Sequence, residues 1–208
     1  VVQGWWDLHQ RFGKRPWADL LADAITTARD GFAVAPVAAR EWTLFQTVIA
    51  KDPASAALYR ASQPPKAGDI FNNPALAQLL SEIAAQGPSA FYQGRIPQAA
   101  EQAMARHGGA LAAIDFAAHS GMFCTPVSTA FRGTVVHECP PNTHGIAVLH
   151  ALQALEGQPL QVDQPEDIVR MVQAMEVAME FAQKTVADPA GNTVCTTVVD
   201  SDGFAITL

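Results

Sequence analysis

Cysteine is scarce in this chain: three residues in 208, Cys124, Cys139 and Cys195. So odd and sparse a set does not make a disulfide framework, and it fits a reducing compartment better than an oxidising one. Basic residues are also few, 13 against 20 acidic, and they form no run. With a net charge of −7, the chain is a poor partner for nucleic acid or an anionic membrane surface. No apolar run approaches the roughly 20 residues that span a bilayer. A Gly-rich phosphate loop, a nucleophile-elbow motif, an internal repeat and a low-complexity tract are all missing. The opening residues, Val1-Val2-Gln3-Gly4-Trp5-Trp6-Asp7, carry neither an initiating Met nor a signal-type apolar core. The chain therefore reads as starting inside a longer gene product, and its compartment is not legible from this end.

What is present is apolar residue in quantity, 49% of the chain against 16% charged, enough for a sizeable globular core. Most of the length has helical periodicity. Pro16 starts one helix, Leu20, Leu21, Ala24, Ile25 and Ala28 give it an apolar face, and Gly31 ends it. A second helix is expected from about Ala35 to Ile49, then a turn-rich connector over Gln63 to Asp69. Asn73-Pro74 opens a third, with Leu76, Leu79, Leu80 and Ile83 on one side, and Gly87-Pro88 breaks it. A fourth follows Gly94 and stops at His107-Gly108-Gly109, after which Asp115 caps a short turn.

The period then changes. Gly133 to Cys139 is strand-like and ends at Pro140-Pro141. Gly145 opens a helix that runs through Leu155, and Pro165 opens a longer one with Ile168, Val169, Val172, Met175 and Met179 expected inward. In the tail, Thr193 to Val199 and Phe204 to Leu208 flank the turn Asp200-Ser201-Asp202-Gly203, the pattern of a β-hairpin.

Residue types alone identify no active site. His137, Cys139, His144 and His150 straddle a strand, a loop and a helix at a spacing that fits no zinc pattern, so no metal and no cofactor is expected. Met171, Met175 and Met179 recur every four residues, as core residues do. Trp5, Trp6 and Trp17 read as buried anchors. On pattern alone Thr193 is an ordinary strand residue.

Several segments, taken in order, resemble the gamma-glutamyltransferase family. Phe12 to Leu21 is similar to that family's "RFG-x-x-PW-x-x-L" helix start, and Ala28-Arg29-Asp30-Gly31-Phe32 to its "AR-x-GF". Phe91-Tyr92-Gln93-Gly94 is similar to "FY-x-G", and His107-Gly108-Gly109 with Asp115 to His119 to its "GG…DLA-x-Y". Pro126 to Gly133 and Pro140-Pro141-Asn142 to Gly145 resemble the "P-x-S…(R/K)-G" and "PP-(N/P)-x-x-G" stretches. Gly191-Asn192-Thr193, leading to Val198-Val199-Asp200-x-Asp202-Gly203, resembles the segment that carries the nucleophile. The Pro140-Pro141-Asn142 form looks most like bacterial transferase-like members.

This resemblance implies an α+β fold, part of the αββα sandwich of the N-terminal-nucleophile hydrolases. Residues 1–192 correspond to the C-terminal part of the large subunit and 193–208 to the start of the small one. It implies self-cleavage between Asn192 and Thr193, with Thr193 as the nucleophile and its freed α-amine as base. Cys195, two residues on along the same strand face, and His144, in the loop before a helix, become candidate substrate-binding residues. The implied partners are a small gamma-glutamyl substrate, glutathione-like, and the two subunits cut from one precursor. No nucleic acid and no membrane span enter this segment.

The pattern also departs from the family. Only Ala190-Gly191-Asn192 separate Asp188-Pro189 from Thr193, where relatives carry several dozen residues. Val194 and Cys195 stand where many transferases have Thr and His, and Phe204 where Asn is common. These exchanges loosen the tie to glutathione and leave open an acylase acting on another acyl amide, or an inactive binding relative.

Overall fold

The computed structural model describes residues 1–140 and 143–187, together with the backbone of two short strands at 197–199 and 205–207. The chain divides into two compact units, Val1–Met122 and Phe123–Leu208.

The first unit is helical, in the order α1 (Val2–Phe12), α2 (Trp17–Asp30), β1 (Phe32–Ala33), α3 (Pro36–Leu44), α4 (Gln46–Ile49), α5 (Pro53–Leu58), β2 (Ile70–Phe71), α6 (Pro74–Gln86), α7 (Ser89–Tyr92), α8 (Arg95–Arg106) and α9 (Ala113–Ala117). Helix α6 begins where the sequence places it, because Asn73 Oδ1 accepts from the Leu76 amide at 3.0 Å and Pro74 fills the first helical turn. Its buried residues are Ala77, Leu80 and Ile83, while Leu76 is exposed. Ile83 meets Val2 of α1, Leu21 of α2 and Ala90 of α7 in one core cluster.

Two of the three N-terminal tryptophans are anchors here. Trp6 lies edge-on to Trp17 at 5.2 Å, and the Trp17 indole N–H donates to the Ile83 carbonyl at 2.9 Å. Trp5 is not an anchor: it is 44% exposed. Helix α1 itself is an addition to the sequence expectation. The helix expected over 35–49 is split at Phe45, whose ψ of 6° ends α3 before α4 resumes.

Helix α2 stops at Gly31, which has φ +94° and is pressed against Ile70 and the Phe71 carbonyl, so no side chain fits there. The chain then enters β1, which pairs antiparallel with β2 through Phe32↔Phe71 and Ala33↔Ile70. Phe71, Trp42 and Tyr59 cluster over Val34 and Ala39 as a second core.

Helix α5 is capped by Asp52, whose carboxylate accepts from the Ser55 amide at 2.7 Å. That hydrogen bond holds the Asp52 carboxyl below its ordinary value. A depressed pKa stabilises the cap above the unfolded value, and this is lost as pH falls through the folded one. The Ser55 amide resonance is therefore expected to titrate with Asp52. In Asp52→Asn, which keeps an acceptor but cannot ionise, the acid-range titration should vanish.

The second unit consists of β3 (Val127–Phe131), β4 (Thr134–Glu138), α10 (Gly145–Ala154), α11 (Pro165–Thr185), β5 (Thr197–Val199) and β6 (Ala205–Thr207). Strands β3 and β4 form a hairpin joined by Arg132-Gly133, at φ 50° and 78°. Two successive left-handed residues make the tight turn whose twist matches the strands. The sequence reading found β4 but not β3. The β3 stretch Val-Ser-Thr-Ala-Phe has few large apolar residues, so it is set by its pairing with β4 more than by its own composition. Alternate residues of the pair, Val127 and Val136 among them, pack on α10.

Helix α10 lies between that hairpin and α11. Ile146, Ala147, Leu149 and Ala151 are each at most 4% exposed. Helix α11 turns a small-residue stripe toward it, with Ala178 and Ala182 fully buried and Ala174 and Phe181 partly so. The expectation of Ile168, Val169, Val172, Met175 and Met179 inward is corrected: they are 37–53% exposed. Alanines spaced by four allow α10 to approach closely, and the larger residues occupy the neighbouring stripe.

Strands β5 and β6 pair antiparallel through Thr197↔Thr207, Val198↔Ile206 and Val199↔Ala205, in agreement with the hairpin read from the tail. Among the described residues, no helix is long and apolar enough to cross a membrane.

Candidate functional site

Thr193, Asn192 and Cys195, the nucleophile, the cleavage partner and one substrate-binding candidate, lie outside the described residues. The other candidate, His144, is described. It is the residue preceding α10, exposed, with its carbonyl accepting from the Ala147 amide at 3.0 Å. Its side chain is thus free of the core, while its backbone fixes the first turn of a helix in which Ile146 and Ala147 are almost fully buried.

The segment from β4 to α10 is short and tied at both ends. Thr143 donates its hydroxyl to the Cys139 carbonyl at 3.4 Å. Glu138, the last residue of β4, reaches over Gly145: a Cβ on Gly145 would meet Glu138 Oε2 at 2.5 Å and Glu138 Cβ at 2.9 Å. A carboxylate therefore already stands at the positive end of α10. The sequence reading singled out His144 in the loop before this helix, and it missed Glu138. The signal was there in strand parity, since Glu138 falls on the same face as Val136, the face turned to α10.

Gly145→Ala is expected to destabilise the second unit by about 1–3 kcal/mol, as overpacking against a fixed strand does. Glu138→Ala on that background removes the Oε2 contact but keeps Cβ, so it should restore only part of the loss. Denaturant melts of the two variants measure both.

The four residues weighed as a metal set do not converge. His137 points to the exposed face of β4, Cys139 and His144 are exposed, and the His150 ring stacks on Phe181 at 4.7 Å within the unit. Among the described residues no group of three or more His, Cys, Asp or Glu side chains is placed to hold a metal ion. In the first unit, His119 and Tyr92, both within motifs singled out above, form a ring stack at 4.8 Å and 17°, and the Tyr92 hydroxyl accepts from the Gln3 amide at 3.4 Å. Tyr92 and His119 thus have a packing role within the first unit.

The family model of gamma-glutamyltranspeptidase matches residues 1–205. The chain is 30% identical over 203 residues to glutathione hydrolase 7 of Homo sapiens, covering 96% of this chain and 30% of that protein. It is also 30% identical over 195 residues to the acylase ACY 1 proenzyme of Pseudomonas sp. (strain V22), covering 91% and 35%. Among solved structures, the cephalosporin acylase from Bacillus halodurans superposes with a TM-score of 0.84 at 26% identity, over 94% of this chain and 38% of that one. The chain belongs to the gamma-glutamyltranspeptidase family. It is a helix-rich α+β portion of that fold and spans about a third of the length of these curated relatives.

Proposed function

We propose that this chain is the central part of an autoprocessing amidohydrolase or acyltransferase that uses Thr193 as nucleophile and acts on gamma-glutamyl compounds. The observation that carries the reading is the extent of the family match, which runs through residue 205 and so across Asn192-Thr193 into the tail hairpin. In this reading residues 1–192 end the large subunit and 193–208 begin the small one, as layers of one αββα sandwich. The word "proenzyme" in a relative's name supports activation by cleavage.

The chemistry is self-consistent. Within the precursor the nitrogen of Thr193 is an amide and cannot act as a base. The Thr193 hydroxyl attacks the Asn192 carbonyl, forming an ester as the peptide C–N bond breaks. Water then opens the ester, leaving a carboxylate on Asn192 and a free α-amine on Thr193. That amine, with an ordinary pKa near 8, accepts the proton of its own hydroxyl during attack on the substrate amide. The acyl group passes to the threonine oxygen, the amine leaves with a proton, and water or an amino acid takes the acyl group in turn. Cys195 and His144 are the residues proposed to line the acyl site.

An acylase on another acyl amide is the second reading, favoured by the likeness to an acylase and to a cephalosporin acylase. Parallel assays of the full-length protein separate the two. Gamma-glutamyl p-nitroanilide carries the α-amino group, and glutaryl p-nitroanilide does not. Faster anilide release from the first supports the proposal, and faster release from the second favours the acylase. No release, with an intact chain after long incubation, favours an inactive binding relative.

A further inference from the structure

The first unit holds a cavity of about 350 Å³ that the chemistry above does not use. One wall is the face of α3 that carries Ala39, Arg40, Thr43 and Leu44, residues a helical turn brings together. The other wall is the loop segment Pro65-Lys66-Ala67. That loop is tied down by hydrogen bonds. The Val34 amide donates to the Asp69 carbonyl and the Gly68 amide to the Val34 carbonyl, each at 2.9 Å. The Asp69 amide closes the turn onto the Lys66 carbonyl at 3.0 Å, and the Asp69 carboxylate accepts from the Lys66 amide at 2.8 Å. The cavity is therefore built by the fold before any ligand arrives.

Its lining divides into two chemistries. Ala39, Leu44, Pro65 and Ala67 supply apolar surface. Ala39 and Pro65 are buried, while Leu44 is 63% exposed and has room to be covered. Arg40 and Lys66 bring one cation from each wall. Among the described residues, neither of these side chains has an ion-pair or hydrogen-bond partner. The acidic residues nearest to them in sequence, Glu41 and Asp69, do not line the cavity, and the Asp69 carboxylate is held by the Lys66 amide. A bare inorganic anion would leave the apolar walls wet, and a neutral apolar molecule would leave both cations without a partner. The volume is that of a small-molecule site.

We infer that this cavity binds a small organic anion with an apolar body, of the aryl carboxylate class. Arg40 and Lys66 hold the carboxylate, and Ala39, Leu44, Pro65 and Ala67 pack on the ring. The site uses no residue of the Thr193 chemistry, so it stands or falls separately from that proposal.

The test titrates 3-phenylpropionate into the full chain and follows the backbone amides by NMR. The control is 3-phenylpropan-1-ol, which keeps the ring and chain but not the charge. Neither compound has an amide for the protein to cleave. The expected result is saturable shifts at the amides of Arg40, Thr43, Lys66 and Ala67, with a dissociation constant of about 1 mM. The alcohol should bind about tenfold more weakly, and Arg40→Gln and Lys66→Gln should each weaken the acid about threefold. Both residues are exposed, so the rest of the spectrum should be unchanged. Added salt should weaken binding to the wild-type chain, which reads the same charge without any substitution. The inference is overturned by shifts that do not saturate, by saturable shifts confined to other residues, by an alcohol that binds as well as the acid, or by an affinity that either substitution or salt leaves unchanged.

Discussion

The Thr193→Ala precursor is expected to remain one uncut, folded and inactive chain. Alanine removes the only atom proposed to attack the Asn192 carbonyl. The peptide bond then survives, and the α-amine that serves as base is never released. The expected loss is of all turnover, together with all processing. Thr193→Ser keeps a hydroxyl and should cleave slowly, because without the β-methyl the rotamer that aims the oxygen is less fixed. The readout is N-terminal sequencing of the smaller wild-type product, with anilide release followed on both variants. A product starting at any residue other than Thr193, or normal turnover by Thr193→Ala, removes the basis of the proposal.

Leu149→Ala should cost about 2–5 kcal/mol, the range for deleting a buried leucine from a core that cannot collapse around it. Leu149 is 1% exposed on a helix enclosed by the β3–β4 hairpin on one side and α11 on the other. Both neighbours are regular elements with their own hydrogen-bond ladders, so neither can close readily on the void. Val172→Ala is the contrasting variant. Val172 is as apolar as a core residue but 53% exposed, and its truncation should change stability by no more than about 0.5 kcal/mol. Denaturant melts of both variants settle the comparison. A Val172→Ala loss as large as that of Leu149→Ala would mean that the exposed stripe of α11 is buried in solution.

The elements that the sequence determined unaided are those whose signals are local. Asn73-Pro74, Pro165, Gly31 and Gly87 fix helix ends through a cap bond, a missing N–H or a left-handed φ, and each acts within one turn of chain. The tail hairpin was legible for the same reason, since β-branched residues flank a turn of Asp, Ser and Gly. The family was legible as well, because motif order along the chain needs no coordinates. Thr193 is nominated only through that resemblance, since a threonine has no chemical mark of its own, and it lies outside the described residues.

What the tertiary structure decided depends on who packs against whom. On α11 the apolar residues are broad enough for two stripes, and the alanine stripe wins the α10 contact because small side chains let two backbones approach. Strand β3 exists because β4 supplies its hydrogen bonds. Glu138 over Gly145 follows from a register that no single strand encodes. A side chain's direction is set by its own backbone, but whether that direction meets a partner is settled only when the second strand has been laid beside the first.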